Sequence, residues 1–339
     1  MSESNGSTKL RDIAQMIGCS VATVSNAING RGRMSDQMRQ LVLDKCAELN
    51  FVPNSAGRSL RLQRTDAVGV IYSPSFAELF RNVFYARIME GMSESFAGAG
   101  LDLVLGNRID ADGMPSIARQ GKVDALVVLA GVFTAADFET LRGCPVPLCI
   151  VDGFAGNVDA DSLTSDGFGG AQQAAEYLYQ QGHRNVVMTA YHSPLYNIEQ
   201  RIAGFFHGLR SCGIQVSEED ALIRVDEDSQ AGTELIARLQ SSAPPTAVFA
   251  VNDTMALHLI DDLKQSEVDV PTDVSVVGFD DDPMAMLSKP PLTTVGLKKR
   301  DIGALSAQLV IDRLANPSKP YLHQVQPTRL MIRSSVARV

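Results

Sequence analysis

The sequence lacks a hydrophobic run long enough to cross a membrane. No stretch reaches about 18 consecutive apolar residues, so we expect no transmembrane helix. The polar residues 1–8 lack the apolar segment of a secretory signal peptide. The five cysteines are scattered, and no two of them have C-x-x-C spacing. Such cysteines are typical of a reduced, cytoplasmic protein, so we expect this chain in the cytoplasm, associated with the nucleoid if it binds DNA.

Motifs of the common enzyme classes are also missing. The chain has no G-x-S-x-G, Walker A or H-E-x-x-H sequence, and no G-x-G-x-x-G follows a strand. The acidic run Asp280-Asp281-Asp282 has no partner ligands at the spacing of a metal site. We therefore expect no enzymatic activity, no cofactor and no bound metal.

Positive charge is scarce overall but not near the N-terminus. The net charge is −9 over 339 residues, yet the first 64 residues hold nine basic and five acidic ones. A basic head on an acidic body is typical of a polyanion-binding module fused to a domain with another task. Chance clustering is the alternative. The length indicates two or three domains.

The first 50 residues have the pattern of three short helices. Apolar spacing predicts a helix over 10–17 with Thr8 or the preceding serine as its cap, and a second over 21–29 capped by Ser20. A third helix begins at Asp36. It carries the apolar residues Met38, Leu41, Val42, Ala47 and Leu49.

Two helices around a glycine turn have the arrangement of a helix-turn-helix, whose second helix enters the major groove of DNA. Asn26 can pair with adenine, and Val21 or Ala22 can touch a thymine methyl group. Arg33 is expected to bind DNA without reading its sequence. The short polar residues suited to phosphate oxygens are Ser20, Thr23, Ser25 and Asn29, and Thr8 is included among the expected DNA contacts. A three-helix cap with an incidental polar face is the alternative.

From residue 67 onward, short apolar runs alternate with helix-like stretches. This alternation predicts parallel sheets with helices on both faces. About 270 residues is large for one sheet, which indicates two similar α/β lobes. The predicted strands are 68–71, 101–105, 125–129, 147–151, 185–189, 246–251 and 274–279.

Taken in order, several motifs resemble those of LacI-type bacterial transcription regulators. The segment 8–30, TKLRDIAQMIGCSVATVSNAING, is similar to the start of that family. The likeness continues through Val52-Pro53-Asn54, Gly182-His183-Arg184, Gly278-Phe279-Asp280-Asp281 and Arg333-Ser334-Ser335.

The resemblance implies a small all-α helix-turn-helix domain (1–52), a hinge helix and linker (53–65), and an α/β body (66–339). This body would be periplasmic-binding-protein-like, with two doubly wound lobes. Its N-lobe would span about 66–165 and 297–325, and its C-lobe about 166–296 and 326–339. It further implies a homodimer, or a tetramer, that binds a pseudo-palindromic operator and a small-molecule effector.

The resemblance also implies that the hinge folds only on specific DNA. Asn54 and Arg58 would contact the DNA, and Leu60 would wedge into the minor groove and kink it. An ordinary linker leucine is the alternative for Leu60. Two residues depart from the family pattern. Asn26 predicts a different operator half-site, and Gly57 replaces the usual alanine, which weakens the hinge helix by about 1 kcal/mol.

In the body, residues at the carboxyl ends of strands are expected to bind the effector. Arg201, Asn252 and Asp280 match the polar trio that sugar-responsive members use, and Arg201 is expected to open a helix over 202–209. Asp166 either touches the ligand or caps a turn, and the aromatic residues are either cavity walls or core. The full expected set is Phe84, Tyr85, Asp152, Asp166, Arg201, Phe249, Asn252 and Asp280.

Neighbouring residues are assigned other roles. Asp253 is expected to cap the helix that follows it, and His183 is expected to be structural. Leu195 stands where the purine-responsive type has a base-contacting arginine. This favours a sugar or sugar acid as effector, with a purine or nucleoside corepressor as the alternative. A solute receptor without a DNA role is the remaining class, and the N-terminal head argues against it.

Overall fold

The structure is a computed structural model that describes residues 9–28, 30, 32–49, 51, 64–72, 79, 82–106, 113–131, 133–154, 156, 158–226 and 231–339. The chain forms two compact units, Met1–Thr65 and Asp66–Val339. Some predicted DNA contacts lie outside the described residues and stay predictions. They are Thr8, Asn29, Asn54, Arg58 and Leu60.

The head contains the three predicted helices: α1 (Leu10–Ile17), α2 (Val21–Ile28) and α3 (Asp36–Glu48). Gly18 ends α1 with φ 76°, a conformation that glycine adopts without steric cost. Ser20 caps α2 because its hydroxyl accepts a hydrogen bond of 3.0 Å from the Thr23 backbone. The cap of α1 differs from the prediction. Its N-cap is Lys9, whose N–H donates to the Asp12 carboxylate at 2.8 Å.

The core of the head fixes which face of each helix is exposed. Its buried residues are Ile13, Ala14, Val24, Ala27 and Val42. Of the apolar residues on α3, Leu41 is 50% exposed and Ala47 is exposed as well. Val42 and Cys46, one turn apart, occupy the inward face of α3 instead.

The body alternates strands and helices. Its strands are β1 (Ala67–Tyr72), β2 (Asp102–Gly106), β3 (Ala125–Leu129), β4 (Leu148–Val151), β5 (Asp161–Ser165), β6 (Val186–Tyr191), β7 (Leu222–Val225), β8 (Ala247–Ala250), β9 (Ser275–Asp280), β10 (Thr293–Gly296), β11 (His323–Gln326) and β12 (Arg329–Met331). Its helices are α4 (Val83–Gly98), α5 (Ser116–Arg119), α6 (Ala135–Thr140), α7 (Gly167–Gln180), α8 (Tyr196–Ser211), α9 (Glu218–Ala221), α10 (Ala231–Leu239), α11 (Asp253–Gln265), α12 (Pro283–Leu287) and α13 (Lys299–Ala315).

These strands form two six-stranded sheets. The first sheet has the order β11-β5-β4-β3-β1-β2, and the second has β12-β10-β9-β8-β6-β7. Neighbours pair in parallel except β12, which runs antiparallel to β10. We call the part of the body built on each sheet the first lobe and the second lobe. The chain passes between the lobes three times, after β5, after β10 and after β11.

The first sheet is buried on both faces, as helices on both sides require. Along β1, Val68 and Val70 point into one hydrophobic core and Ala67 and Ile71 into another. The predicted fold, a helix-turn-helix head with a two-lobed α/β body, is therefore confirmed. Among the helices of the described ranges, none combines the length and hydrophobicity of a membrane span.

Candidate functional sites

The outward face of α2 carries the residues predicted to meet DNA. Because Val24 and Ala27 point into the core, Val21, Ala22 and Asn26 are exposed. The first of these is 43% exposed although it is apolar. A side chain of this kind on the surface is free to contact a thymine methyl group.

The polar residues around this face have different roles. The hydroxyls of Ser20 and Thr23 lie 2.8 Å apart and share a hydrogen bond at the start of α2. Ser25 is half-buried, and Arg33 is exposed in the turn before α3. The Asn26 amide lies against Gly32, so that a Cβ atom at that glycine would be 3.0 Å from Nδ2. The amide that is predicted to read a base therefore lies close to this turn.

The body contains a cavity of about 500 Å³ between the carboxyl ends of both sheets. Its lining includes residues that end or follow strands of each lobe, as expected for open parallel sheets. The volume is within the range of small-molecule sites, about 300–1,000 Å³. The lining residues are Tyr72, Asn82, Val83, Phe84, Tyr85, Gly131, Asp152, Tyr191, Leu195, Asn197, Ile198, Arg201, Val251, Asn252, Thr254, Leu257, His258, Asp280, Asp282 and Met284.

Asp152 marks the first-lobe side of the cavity. The buried Tyr85 hydroxyl donates a hydrogen bond of 2.8 Å to its Oδ2 atom. Gly131 makes room for this pair, because a Cβ atom there would lie 1.8 Å from the tyrosine oxygen. Burial raises the pKa of Asp152 to about 6, while Tyr85 and the charge of Arg201 act in the opposite direction.

Arg201 and Asp280 form the second-lobe side. The Arg201 Nη2 atom donates to Asp280 at 2.9 Å, and Nη1 donates to the Val251 carbonyl oxygen at 2.7 Å. The guanidinium lies 3.9 Å from the centre of the Phe279 ring. Burial raises the pKa of Asp280, and the guanidinium opposes that rise. Arg201 lies within α8, which begins at Tyr196, so the prediction that it opens a helix at residue 202 is wrong.

Two of the aspartates that line the cavity, Asp152 and Asp280, have an unusual backbone conformation. Asp152 has φ 61° and Asp280 has φ 115°, and Asp281 beside it has φ 52°. Side-chain-bearing residues rarely adopt such angles, which cost of order 1–3 kcal/mol and cluster at functional sites. The backbone is thus held in an unfavourable conformation where both carboxylates meet the cavity.

The capping role predicted for Asp253 belongs to its neighbour instead. Asn252 caps α11, since its Oδ1 accepts a hydrogen bond of 2.8 Å from the Met255 backbone, while its side chain also lines the cavity. Asp253 is fully buried, accepting hydrogen bonds from the Thr294 hydroxyl and the Asp282 backbone. Burial raises its pKa to about 8, and the nearby Asp280 adds to the rise.

The rest of the acidic run is paired within the protein. Lys299 donates to Asp282 at 2.8 Å, and Arg333 donates to Asp281 at 2.5 Å. Asp282 is also the N-cap residue of α12. Within the described ranges, no group of three or more histidine, cysteine, aspartate or glutamate side chains is arranged to hold a metal ion.

Two expected effector residues lie away from the cavity lining. Phe249 is fully buried in the second lobe, where its ring stacks on Phe205 at 5.0 Å. Asp166 caps α7 by accepting a hydrogen bond of 2.7 Å from Gly169, the capping alternative of the prediction. The remaining six, Phe84, Tyr85, Asp152, Arg201, Asn252 and Asp280, lie together around the cavity.

Sequence reasoning missed several lining residues that simple rules point to. Tyr72 and Tyr191 are the last residues of β1 and β6, at the edges where ligands bind. Asn197 lies four residues before Arg201 on α8, hence on the same helical face. His183 is structural as predicted, bonded to Thr246 and to the Ala337 carbonyl.

An aromatic pair joins the lobes beside the cavity. Phe154, two residues after Asp152 in the first lobe, stacks on Tyr196 of the second lobe. The ring centres are 5.6 Å apart with planes inclined by 22°. Since Tyr196 stands between the lining residues Leu195 and Asn197, the pair lies beside the cavity wall.

Comparison with known proteins gives two family matches. Residues 9–54 match the family described as bacterial regulatory proteins, lacI family, and residues 175–336 match a periplasmic binding protein-like domain. The chain is 27% identical to the HTH-type transcriptional repressor PurR of Vibrio campbellii, over 97% of this chain and 99% of the relative. It is also 27% identical to the ribose operon repressor of Haemophilus influenzae, over 96% and 98%.

Solved structures show the same architecture. The regulator CelR in complex with cellobiose has a TM-score of 0.71 and 28% identity, covering 97% of this chain and 99% of that one. A LacI family regulator from Enterococcus faecium with bound ribose has a TM-score of 0.69 and 28% identity, covering 80% and 99%. The lac repressor dimer bound to operator shares the fold, with a TM-score of 0.83, 23% identity and coverage of 98% and 100%.

Proposed function

Given that the chain belongs to the LacI family of bacterial regulatory proteins, we propose that it represses transcription as a homodimer on a pseudo-palindromic operator, controlled by a sugar-type effector. The observation that carries this proposal is that one chain has both an exposed α2 face in its head and a polar cavity between the two lobes of its body. The chain is a regulator and not an enzyme, as its relatives are transcriptional repressors.

The chemistry of the cavity supports a hydroxyl-rich effector. Carboxylates at Asp152 and Asp280 accept hydrogen bonds, and the Asn197 and Asn252 amides both donate and accept. Aromatic rings such as Phe84 cover the C–H surface of a sugar. The relatives include a ribose operon repressor and regulators bound to cellobiose and ribose. Sugars and sugar acids both fit this description.

A purine or nucleoside corepressor is the second candidate, because relatives named PurR match the chain over almost its whole length. The residue at the position of the base-contacting arginine is Leu195, which lines the cavity. An aliphatic side chain cannot donate a hydrogen bond to a base. This difference supports the sugar over the purine.

In the head, we propose that Asn26, Val21 and Ala22 read bases and that Arg33 contacts the phosphates. The hinge, with Leu60 as its wedge, completes the site on each subunit. A tetramer of two such dimers is compatible with the same operator contacts. A protein with this role works in the cytoplasm, on the nucleoid.

Footprinting on DNA around the chain's own gene tests operator binding. We expect a protected palindrome at moderate salt, and its absence would refute the proposal. Effector control is tested by Asp280→Asn and Arg201→Ala, which should abolish the effect of ligand on DNA binding while the footprint remains. Either release or enhanced binding counts as a response, because its sign depends on which conformation the ligand prefers. Thermal melts confirm that the variants fold.

A further inference from the structure

The described lining of the cavity has more acidic than basic side chains. The described lining contains three aspartates, Asp152, Asp280 and Asp282, and one arginine, Arg201. His258 is the remaining residue of the described lining with a basic side chain. Lys299 neutralises Asp282 from outside the lining. The described cavity is therefore acidic before any ligand enters.

Arg201, the one arginine of the described lining, already forms hydrogen bonds to other groups of the protein. Two of its nitrogens bond to Asp280 and to the Val251 carbonyl oxygen, and its plane lies over Phe279. A carboxylate or phosphate on the ligand would have to break this arrangement to gain a bidentate contact. The Arg201 Nε atom is buried with no hydrogen-bond partner among the described residues, although the side chain lines the cavity.

Asp152 differs from the other two aspartates in its partners. Its hydrogen bonds come from the uncharged Tyr85 hydroxyl and Asn197 amide. Within the described residues, no lysine or arginine forms an ion pair with it, whereas Asp280 and Asp282 each have one. With 5% of its surface exposed, its charge is weakly screened by water. An anionic ligand would therefore meet a buried carboxylate that has no ion-pair partner among the described residues.

We propose that this cavity takes a hydroxyl-rich ligand with no acid group, and that Asp152 is the residue that excludes sugar acids and sugar phosphates. Like charges brought together out of water cost enough to reject a ligand. A hydroxyl group of a neutral ligand can instead donate a hydrogen bond to the carboxylate, which accepts more than one. This inference rests on the proposed sugar effector and narrows it from sugars and sugar acids to uncharged or amine-bearing sugars.

The test is calorimetric titration of the full chain with matched pairs. They are glucose and glucuronate, galactose and galacturonate, and mannose and mannuronate, with ribose, adenine and hypoxanthine as further probes. For at least one pair, we expect the neutral sugar to bind at least about tenfold more tightly than its acid. Asp152→Asn, which keeps an acceptor for Tyr85, should reduce that ratio at least about tenfold.

Two further variants separate this effect from damage to the fold. Asn197→Asp adds a charge beside Asp152 and should increase the preference for the neutral sugar. Asp102→Asn removes the same charge as Asp152→Asn from an exposed position on β2, and should leave the ratio unchanged. A parallel change with Asp102→Asn would assign the preference to net charge and overturn the role of Asp152.

The other outcomes are distinguishable. An acid that binds at least as tightly as its neutral partner overturns the inference but leaves the sugar effector in place. Binding of a purine alone overturns both the inference and the sugar effector. Binding of no probe also counts against both, while operator binding is still judged by the footprint.

Discussion

Thr294 donates a hydrogen bond of 2.5 Å from its hydroxyl to the carboxylate of Asp253, which is fully buried. The second oxygen of that carboxylate accepts from the Asp282 backbone at 2.7 Å. Gly278 makes room for it, since a Cβ atom there would lie 2.2 Å from Oδ1. The Asp253 side chain thus fixes the turn that follows Asp280 and so positions one side of the cavity.

The ionisation of Asp253 should make stability depend on pH. Its pKa is raised from the ordinary 3.8 to about 8, so the folded state holds a proton that the unfolded state has lost above about pH 4. The contribution of protonated Asp253 to the free energy of unfolding is therefore fully present below about pH 4 and is lost as the pH rises to about 8. Asp253→Asn should therefore match the parent at pH 4 and melt at a higher temperature at pH 8, by a few degrees.

Differential scanning calorimetry across this range measures the effect, with Asp102→Asn as a control for lost charge. An asparagine can still accept from the Asp282 backbone, and its amide can donate to the Thr294 oxygen, as the carboxyl proton of a protonated Asp253 can. A melting difference that does not change with pH would contradict the assignment of a protonated Asp253.

Gly131→Ala should weaken the effector response. The added methyl group would lie 1.8 Å from the Tyr85 oxygen and 2.4 Å from the Asp152 carboxylate, so their hydrogen bond must break or shift. Overpacking of this kind costs about 1–3 kcal/mol, and we expect sugar affinity to fall by about tenfold or more. Gly98→Ala is the matched control, because nothing lies within 4 Å of its added Cβ. Equal sugar affinity in both variants would show that the Tyr85–Asp152 pair does not shape the site.

Phe154→Ala should make the cavity hold its ligand less tightly. The stacked pair with Tyr196 links the lobes, and aromatic pairs contribute about 0.5–1.5 kcal/mol beyond buried area. We expect ligand dissociation to accelerate about two- to tenfold with little change in melting temperature, since Phe154 is half exposed. Stopped-flow measurement checks this, and Phe154→Tyr should retain the parent rate. An unchanged rate of ligand dissociation in Phe154→Ala would show that the aromatic pair does not help to retain the ligand.

The head offers a contrast between specificity and affinity. Asn26→Ala should relax discrimination at one half-site position, by about 1–3 kcal/mol at an adenine. Arg33→Ala should instead weaken binding evenly on all sequences and reduce its salt dependence. Gel-shift titration on the footprinted operator and its single-base variants distinguishes the two. Uniform losses for Asn26→Ala would refute base reading by this residue.

Much of the architecture could be predicted because parallel strands buried on both faces are continuous apolar runs. The strands that escaped prediction are those without this pattern. Asp161–Ser165 is buried yet holds an aspartate, two serines and a threonine, and its Asp161 is neutralised by Arg313 from distant α13. The short strands β11 and β12 are half-exposed and lie at sheet edges.

Site residues were predictable to the extent that they follow strand ends. Asp152, Asn252 and Asp280 were found in this way, whereas Phe249 lies inside β8 and packs in the core. The start of α8 was missed because its N-cap, Leu195, makes no side-chain capping bond. Charge pairing, such as that between Lys299 and Asp282, depends on contacts between segments that no local pattern reveals.

The order of the strands also governs when the body can assemble during synthesis. Helix α13 supplies Ile302, Ala307 and Val310 to the core of the first lobe, and the two edge strands come from residues 323–331. Domains emerge from the ribosome N-terminal end first, at about 5–20 residues per second. The head therefore leaves the ribosome well before either sheet has all its strands. For that interval, a nascent chain would present a DNA-binding module that no effector could yet control.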